Sequence, residues 1–253
     1  MNESKWLGRI LMSGIACLSL TFLLSAHSQS AIESPEPPKE IPKVSAAVPA
    51  TDDFFNLDSP VLFINKEHHL PADYTPPDLV EPAIPFSFEG TSPKKLMRKE
   101  AAKATEELFA HAQKDGIALV GVSAYRSFDI QETIYHSNVR ALGQEEAAKW
   151  SARPGESEHQ TGLAIDISTA EMGFLLEESF AETKEGKWLA EHAALHGFII
   201  RYPKGKEELT GYSYEPWHIR YVGKKAAKEI SEKGITLEEY VKELTVKKGT
   251  PKQ

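Results

Sequence analysis

Alternation of apolar with small or polar residues is sharpest at GLAIDIS (162–168). There Leu163, Ile165 and Ile167 share one face of a strand, and Ala164, Asp166 and Ser168 the other. PWHIRYVG (216–223) repeats the pattern, with Trp217, Ile219 and Tyr221 on one face and His218 and Arg220 on the other. IALVGVSA (117–124) and FIIRY (198–202) read as two further strands. Helical spacing joins Met97, Ala101, Ala104, Leu108 and Ala112 into a helix opened by Ser92-Pro93 and stopped by Gly116. Ser127 caps a helix to about Leu142, a short helix follows at Glu145–Trp150, and another covers 184–196 up to Gly197. Two helices close the chain, the second opened by the capping box Thr236-x-x-Glu239. Helices interspersed with about four short strands predict an α+β domain: a small, mainly antiparallel sheet flanked by helices.

Before residue 54 the pattern changes twice. Lys5 and Arg9 precede an uncharged, mostly apolar run from Ile10 to Leu24, followed by SAHSQSA. That layout predicts a secretory signal peptide over 1–28, too short in its apolar part to span a bilayer comfortably, although an uncleaved anchor is the alternative. Residues 29–53 hold five prolines and almost no large apolar side chains, and read as an extended tether. The working domain is therefore expected over 54–247, with a short tail at 248–253. Its first segment, to about Val80, mixes aromatics with prolines and reads as an irregular arm on the domain surface, with His68 and His69 exposed.

Composition narrows the function. The only cysteine, Cys17, falls in the apolar run, so the domain has no disulfide. Net charge is −8, one unit more negative without Glu3, Lys5 and Arg9, and no Lys/Arg block is present. An exported acidic monomer with no nucleic-acid partner is the expectation.

A carboxylate in a buried strand is costly unless it is paired or binds a metal. If the strands bearing Asp166 and His218 are neighbours, both side chains converge on one point of the open sheet face, and Gly162 lets the loop carrying His159 fold back to it. Two histidines and one aspartate form a three-ligand set for zinc with an open fourth position. Glu215, held by Pro216, is the candidate base for a water at that position. Taken singly, each residue has a blander role: a solvated loop histidine, a turn-capping aspartate.

SEHQTGLAID (157–166) matches S-x-H-x-x-G-x-A-x-D, and EPWH (215–218) matches E-x-x-H, of the VanY-type zinc D-alanyl-D-alanine carboxypeptidases. SAYRSFDIQ (123–131) resembles that family's S-x-Y-R-S-x-x-x-Q segment, and NKEHHLPADYTPPDLV (65–80) the arm of its LdcB-like branch, which includes L,D-carboxypeptidases. The resemblance covers about residues 60–240. It implies that His159, Asp166 and His218 bind one zinc ion, that Glu215 is the catalytic base, and that Arg126 stabilises the oxyanion. Gln131 and Ser157 would contact the substrate, a peptidoglycan stem peptide losing its C-terminal D-alanine. The arm favours L,D- over D,D-specificity. A murein endopeptidase with the same chemistry and a non-catalytic wall-binding module are the alternatives, and Glu215 argues against the second.

Two patterns are set aside. His192 and His196 stand at i, i+4 on a helix, but Ala193 occupies the position where H-E-x-x-H needs glutamate, and His196 is expected to serve the helix C-terminus as a cation. SPKK (92–95) fits S-x-x-K without the S-D-N and K-T-G of serine D,D-peptidases.

Overall fold

Four antiparallel strands form the centre of the domain. They are β3 (Val120–Ser123), β4 (Ala164–Ser168), β5 (Phe198–Ile200) and β6 (His218–Tyr221), in the order β3-β4-β6-β5. The computed structural model describes residues 54–249; the expected signal peptide, the tether and residues 250–253 lie outside them. A two-stranded ribbon, β1 (Leu79–Val80) with β2 (Met97–Arg98), precedes the sheet. The helices are α1 (Lys99–Lys114), α2 (Phe128–Leu142), α3 (Gln144–Trp150), α4 (Lys184–His192), α5 (Glu207–Thr210), α6 (Lys224–Lys233) and α7 (Leu237–Gly249). This is the α+β arrangement expected from the strand and helix periods. None of the described helices is long and apolar enough to cross a membrane.

Alternation along β4 and β6 decides what the sheet buries. Leu163, Ile165, Ile167, Trp217, Ile219 and Tyr221 enter one core cluster with Leu108 and Ala112 of α1 and Leu189 of α4. Each of these aliphatic side chains contributes about 1.5–3 kcal/mol through its burial. Asp166 and His218 occupy the opposite face. A second cluster joins Ile199 and Val222 to Ala227 and Ile230 of α6 and Leu237 and Tyr240 of α7.

Local signals hold at several ends. Ser127 Oγ accepts from the Ile130 amide, and Thr236 and Glu239 form the reciprocal capping box, Glu239 N–H to Thr236 Oγ1 at 3.2 Å and Thr236 N–H to Glu239 Oε2 at 2.8 Å. Three expectations are corrected. Ser92-Pro93 opens only a 3-10 turn, Pro93–Lys95, and α1 begins at Lys99. The intervening backbone is committed elsewhere: the Lys94 and Leu96 carbonyls accept from the Ala124 and Tyr125 amides, and Arg98 N–H donates to the Gly162 carbonyl. Those groups cannot also serve a helical ladder.

The helix expected over 184–196 ends at His192 and tightens into a 3-10 turn, Ala193–His196, before Gly197 at φ 87°. The arm is irregular but does not lie on the surface. Leu62, Ile64 and Leu70 belong to the main core and Phe54 and Phe63 to the second, while His68 is half-buried against the rings of Phe55 and Phe63. His69, likewise half-buried, donates to the Lys66 carbonyl.

Candidate active site

The register of the sheet sets Asp166 directly opposite His218, with Ser123 on the other side of Asp166. The adjacency on which the ligand argument depended is therefore present. His159 arrives on a 3-10 turn, Glu158–Thr161, that Gly162 ends at φ 67°. The left-handed angle favours glycine there, and a Cβ would also force Leu79 Cδ2, 2.8 Å away, to shift.

One donor atom from each of His159, Asp166 and His218 falls within 4.8 Å of the others, and all three residues are buried. His159 Nε2 is 3.3 Å from Asp166 Oδ2, and His218 Nδ1 is 3.0 Å from Asp166 Oδ1. Tetrahedral bonds of about 2.0–2.1 Å separate donors by about 3.3 Å, so these spacings fit one ion. Neighbouring groups aim the rings. A carbonyl can only accept, so the 2.6 Å contact from His159 Nδ1 to Ala124 O fixes the proton on Nδ1 and leaves Nε2 free. His218 Nε2 stands 3.5 Å from Glu158 Oε2, which leaves Nδ1 to face Asp166.

The electrostatics match a site built for positive charge. Burial opposes ionisation of Asp166, but His159 and His218 hold its carboxyl well below the usual carboxylate range. Burial likewise opposes charge on His218, yet hydrogen bonds to Asp166 and Glu158 push it up to about 9. Burial pulls His159 down.

Glu215 lies at the edge of this set, its Oε2 4.0 Å from His218 Nδ1. Its backbone N–H donates to Tyr202 O and its carbonyl accepts from the His218 amide, which fixes the turn. Burial pushes its carboxyl up to about 7, against the opposing pull of His218 and with Asp166 adding to the rise. A group poised near neutrality is suited to taking and returning a proton.

Arg126 donates from Nη1 to Gln131 Oε1 (2.9 Å) and from Nη2 to Ser123 Oγ (3.2 Å), with Asp166 Oδ2 at 3.8 Å. Its Nε is a buried donor with no protein partner. Gln131 is buried, and its Nε2 donates to Ala152 O, so its amide holds Arg126 in place. Ser157 is buried at the cleft wall and makes no side-chain capping bond. All seven expected residues line one cleft of about 460 Å³, together with Trp150, Tyr202, Tyr212 and Trp217.

Glu158 was not singled out in the sequence. It is buried, accepts from Arg201 Nε at 2.7 Å and Arg220 Nη1 at 2.6 Å, and is held well below the carboxylate range by those arginines despite its burial. Arg201 also forms a two-point pair with Glu238 of α7, and Arg220 Nη2 donates to Leu62 O in the arm. The signal was Arg220 itself. An arginine that shares the inward face with His218 needs a buried carboxylate.

Similar proteins carry the same framework. The family model for VanY, D-alanyl-D-alanine carboxypeptidase, matches residues 94–224. YodJ of Bacillus subtilis (strain 168) is 51% identical over 185 residues, covering 73% of this chain and 68% of YodJ. Among solved structures, the LdcB LD-carboxypeptidase is 51% identical with a TM-score of 0.70, over 72% of this chain and 86% of that one. A VanY D,D-pentapeptidase from a VanB-type vancomycin-resistance cassette, in complex with Zn(II), is 33% identical with a TM-score of 0.60, over 71% and 97%. The family match takes in all seven cleft residues, and this chain belongs to the VanY family of D-alanyl-D-alanine carboxypeptidases.

Proposed function

We propose that this chain is a zinc-dependent carboxypeptidase that removes the C-terminal D-alanine from peptidoglycan stem peptides and prefers the L,D bond of tetrapeptide stems. The observation that carries the reading is the convergence of His159, Asp166 and His218 on one point, with Glu215 beside it and Arg126 Nη2 3.8 Å from Asp166 Oδ2. When bound there, zinc supplies Lewis acidity to the scissile carbonyl and to the attacking water. Glu215 accepts the proton of that water and returns it to the departing D-alanine amine. Arg126, held by Gln131 and Ser123, presents fixed N–H donors to the negative charge of the peptide terminus or of the tetrahedral oxygen. Ser157 contacts the peptide from the wall. The L,D preference is supported by the higher identity to the LdcB structure than to the VanY one, 51% against 33%.

The same reading makes the enzyme exported, with residues 1–28 as a signal peptide, 29–53 as a tether and 54–247 as the catalytic domain. Deleting 29–53 is then expected to leave the melting temperature and kinetics in vitro unchanged, because a proline-rich stretch with almost no large apolar side chains supplies no core.

Residues 54–253 incubated with tetra- and pentapeptide stems, with and without added zinc, test the function by mass of the products. Zinc-dependent loss of one alanine, faster from the tetrapeptide, is expected. Faster release from the pentapeptide overturns the L,D preference, cleavage within cross-links indicates an endopeptidase, and binding without turnover leaves a wall-binding module.

A further inference from the structure

Among the described residues, a second group brings metal-ligating atoms within 4.8 Å of one another: His111, Asp115 and His192. His111 lies in the last turn of α1, Asp115 caps that helix, and His192 ends α4. Both helices pack on the sheet face opposite Asp166 and His218, so this group is separate from the cleft. Sequence spacing paired His192 with His196. The fold pairs it with α1 instead.

All three donors are oriented by other protein groups. His192 Nδ1 lies 2.8 Å from Trp188 O, a carbonyl that can only accept, so the proton is on Nδ1 and Nε2 is left as a free lone pair. The His192 ring is also stacked on Trp188 at 4.4 Å and 4°. Trp188 Nε1 donates to Asp115 Oδ2 at 2.8 Å and so aims that carboxylate. His111 Nδ1 contacts His196 Nε2 at 3.0 Å, which leaves His111 Nε2 facing Asp115 Oδ2 at 3.6 Å. The 3.6 Å spacing lies close to the roughly 3.3 Å between donors in a tetrahedral site. Ligands oriented from behind by hydrogen bonds are the usual construction of metal sites.

We propose that His111, Asp115 and His192 bind a second metal ion, a late first-row divalent cation such as Zn²⁺. Two imidazoles and one carboxylate suit that class, and its remaining coordination positions go to water. The ion fastens the C-terminal ends of α1 and α4 together behind the sheet. It takes no part in peptide cleavage.

Equilibrium dialysis of the full chain against Zn²⁺, with metal counted per chain, tests this. Wild-type protein is expected to hold two equivalents, and Asp115→Asn and His192→Ala one, the second equivalent binding at least tenfold more weakly. Asp166→Asn, in which the cleft ligands are disturbed, is expected to retain the equivalent held by His192, so the result stands apart from the proposed function. In wild type, zinc beyond the first equivalent should raise Tm by about 5 °C at a hundredfold excess over Kd. His192→Ala should lose that second rise. A single equivalent in wild type, or two in both variants, overturns the proposal and leaves His111 and Asp115 as a surface ion pair. Asp115→Asn nearly conserves shape, so it decides the matter if His192→Ala misfolds.

Discussion

Glu158 lies behind His218, its Oε2 3.5 Å from Nε2, while Nδ1 of the same ring meets Asp166 Oδ1 at 3.0 Å. One imidazole thus spans two carboxylates, one facing the cleft and one facing the interior. The interior carboxylate is in turn clamped by Arg201 and Arg220, both fully buried. A histidine held this way keeps one nitrogen for a ligand, and rotating its ring would break both carboxylate contacts at once.

Glu158→Gln is therefore expected to act on both stability and metal binding. Losing the charge leaves Arg220 without a carboxylate partner and should cost about 3–5 kcal/mol in denaturant unfolding. Metal affinity should fall about 10–100-fold in a competition titration. The acid side follows from the sign of the shift. A carboxyl depressed in the folded state stabilises above its ordinary value of 4.5, and that contribution is lost as pH falls below it. The variant should show a flatter loss of stability on acidification than wild type.

Glu215→Ala removes the proton acceptor and leaves the three ligands untouched. Metal content should stay at wild-type level while kcat falls about 10²–10⁴-fold. Substantial turnover with normal metal would rule out Glu215 as the base.

The pH profile of the wild-type enzyme reads the same group. Without metal, Glu215 sits at about 7, above its ordinary 4.5. A bound dication favours the carboxylate, so the acidic limb of kcat/KM should fall between 4.5 and 7, with activity rising as pH increases through it. A limb above 7 would assign the titration to another group.

How much of this the sequence revealed depended on periodicity. Asp166 and His218 were visible because period two separates strand faces, and the faces meet as soon as the strands pair. Glu158 was not, because a 3-10 turn carries no such period and its partners Arg201 and Arg220 lie 43 and 62 residues away. The arm misled for a different reason. Proline forbids ladder hydrogen bonds but not burial, so Leu62, Ile64 and Leu70 reach the core from irregular backbone. The start of α1 was displaced by tertiary hydrogen bonds to Lys94, Leu96 and Arg98 that no local propensity encodes.

Arg126→Lys keeps the charge but loses the planar fork that meets Gln131 and Ser123 together. A lysine cannot hold both partners and still offer a fixed donor where Nε and Nη2 stand. The expected result is a drop in kcat/KM of about 10²-fold or more, with fold and metal content unchanged. An unaltered kcat/KM would show that position 126 needs only positive charge.

Asp166→Asn tests the centre of the site, and its outcome follows from what balances Asp166 when no metal is bound. Burial works against a charged His218, but hydrogen bonds to Asp166 and Glu158 raise it to about 9, so at neutral pH the apo ring holds a proton. The folded value exceeds the ordinary 6.5, so this contribution to stability is fully present below 6.5 and is lost as pH rises through about 9. Metal binding requires the neutral ring and must displace that proton. Affinity should therefore rise about tenfold per pH unit between 6.5 and 9 and level off above, while the holo protein outlasts the apo protein in a thermal melt by a margin that grows over the same range. Asparagine nearly conserves the volume of Asp166, so packing against Ser123 and His218 survives, but the carboxylate donor and the main support for the His218 proton both disappear. Metal affinity and peptidase activity should fall together, and the metal-dependent rise in Tm from this site should shrink at every pH. Metal analysis, turnover and paired melts of this one variant give the answer. Unchanged metal content with retained activity would mean that Asp166 is no ligand and only braces His218.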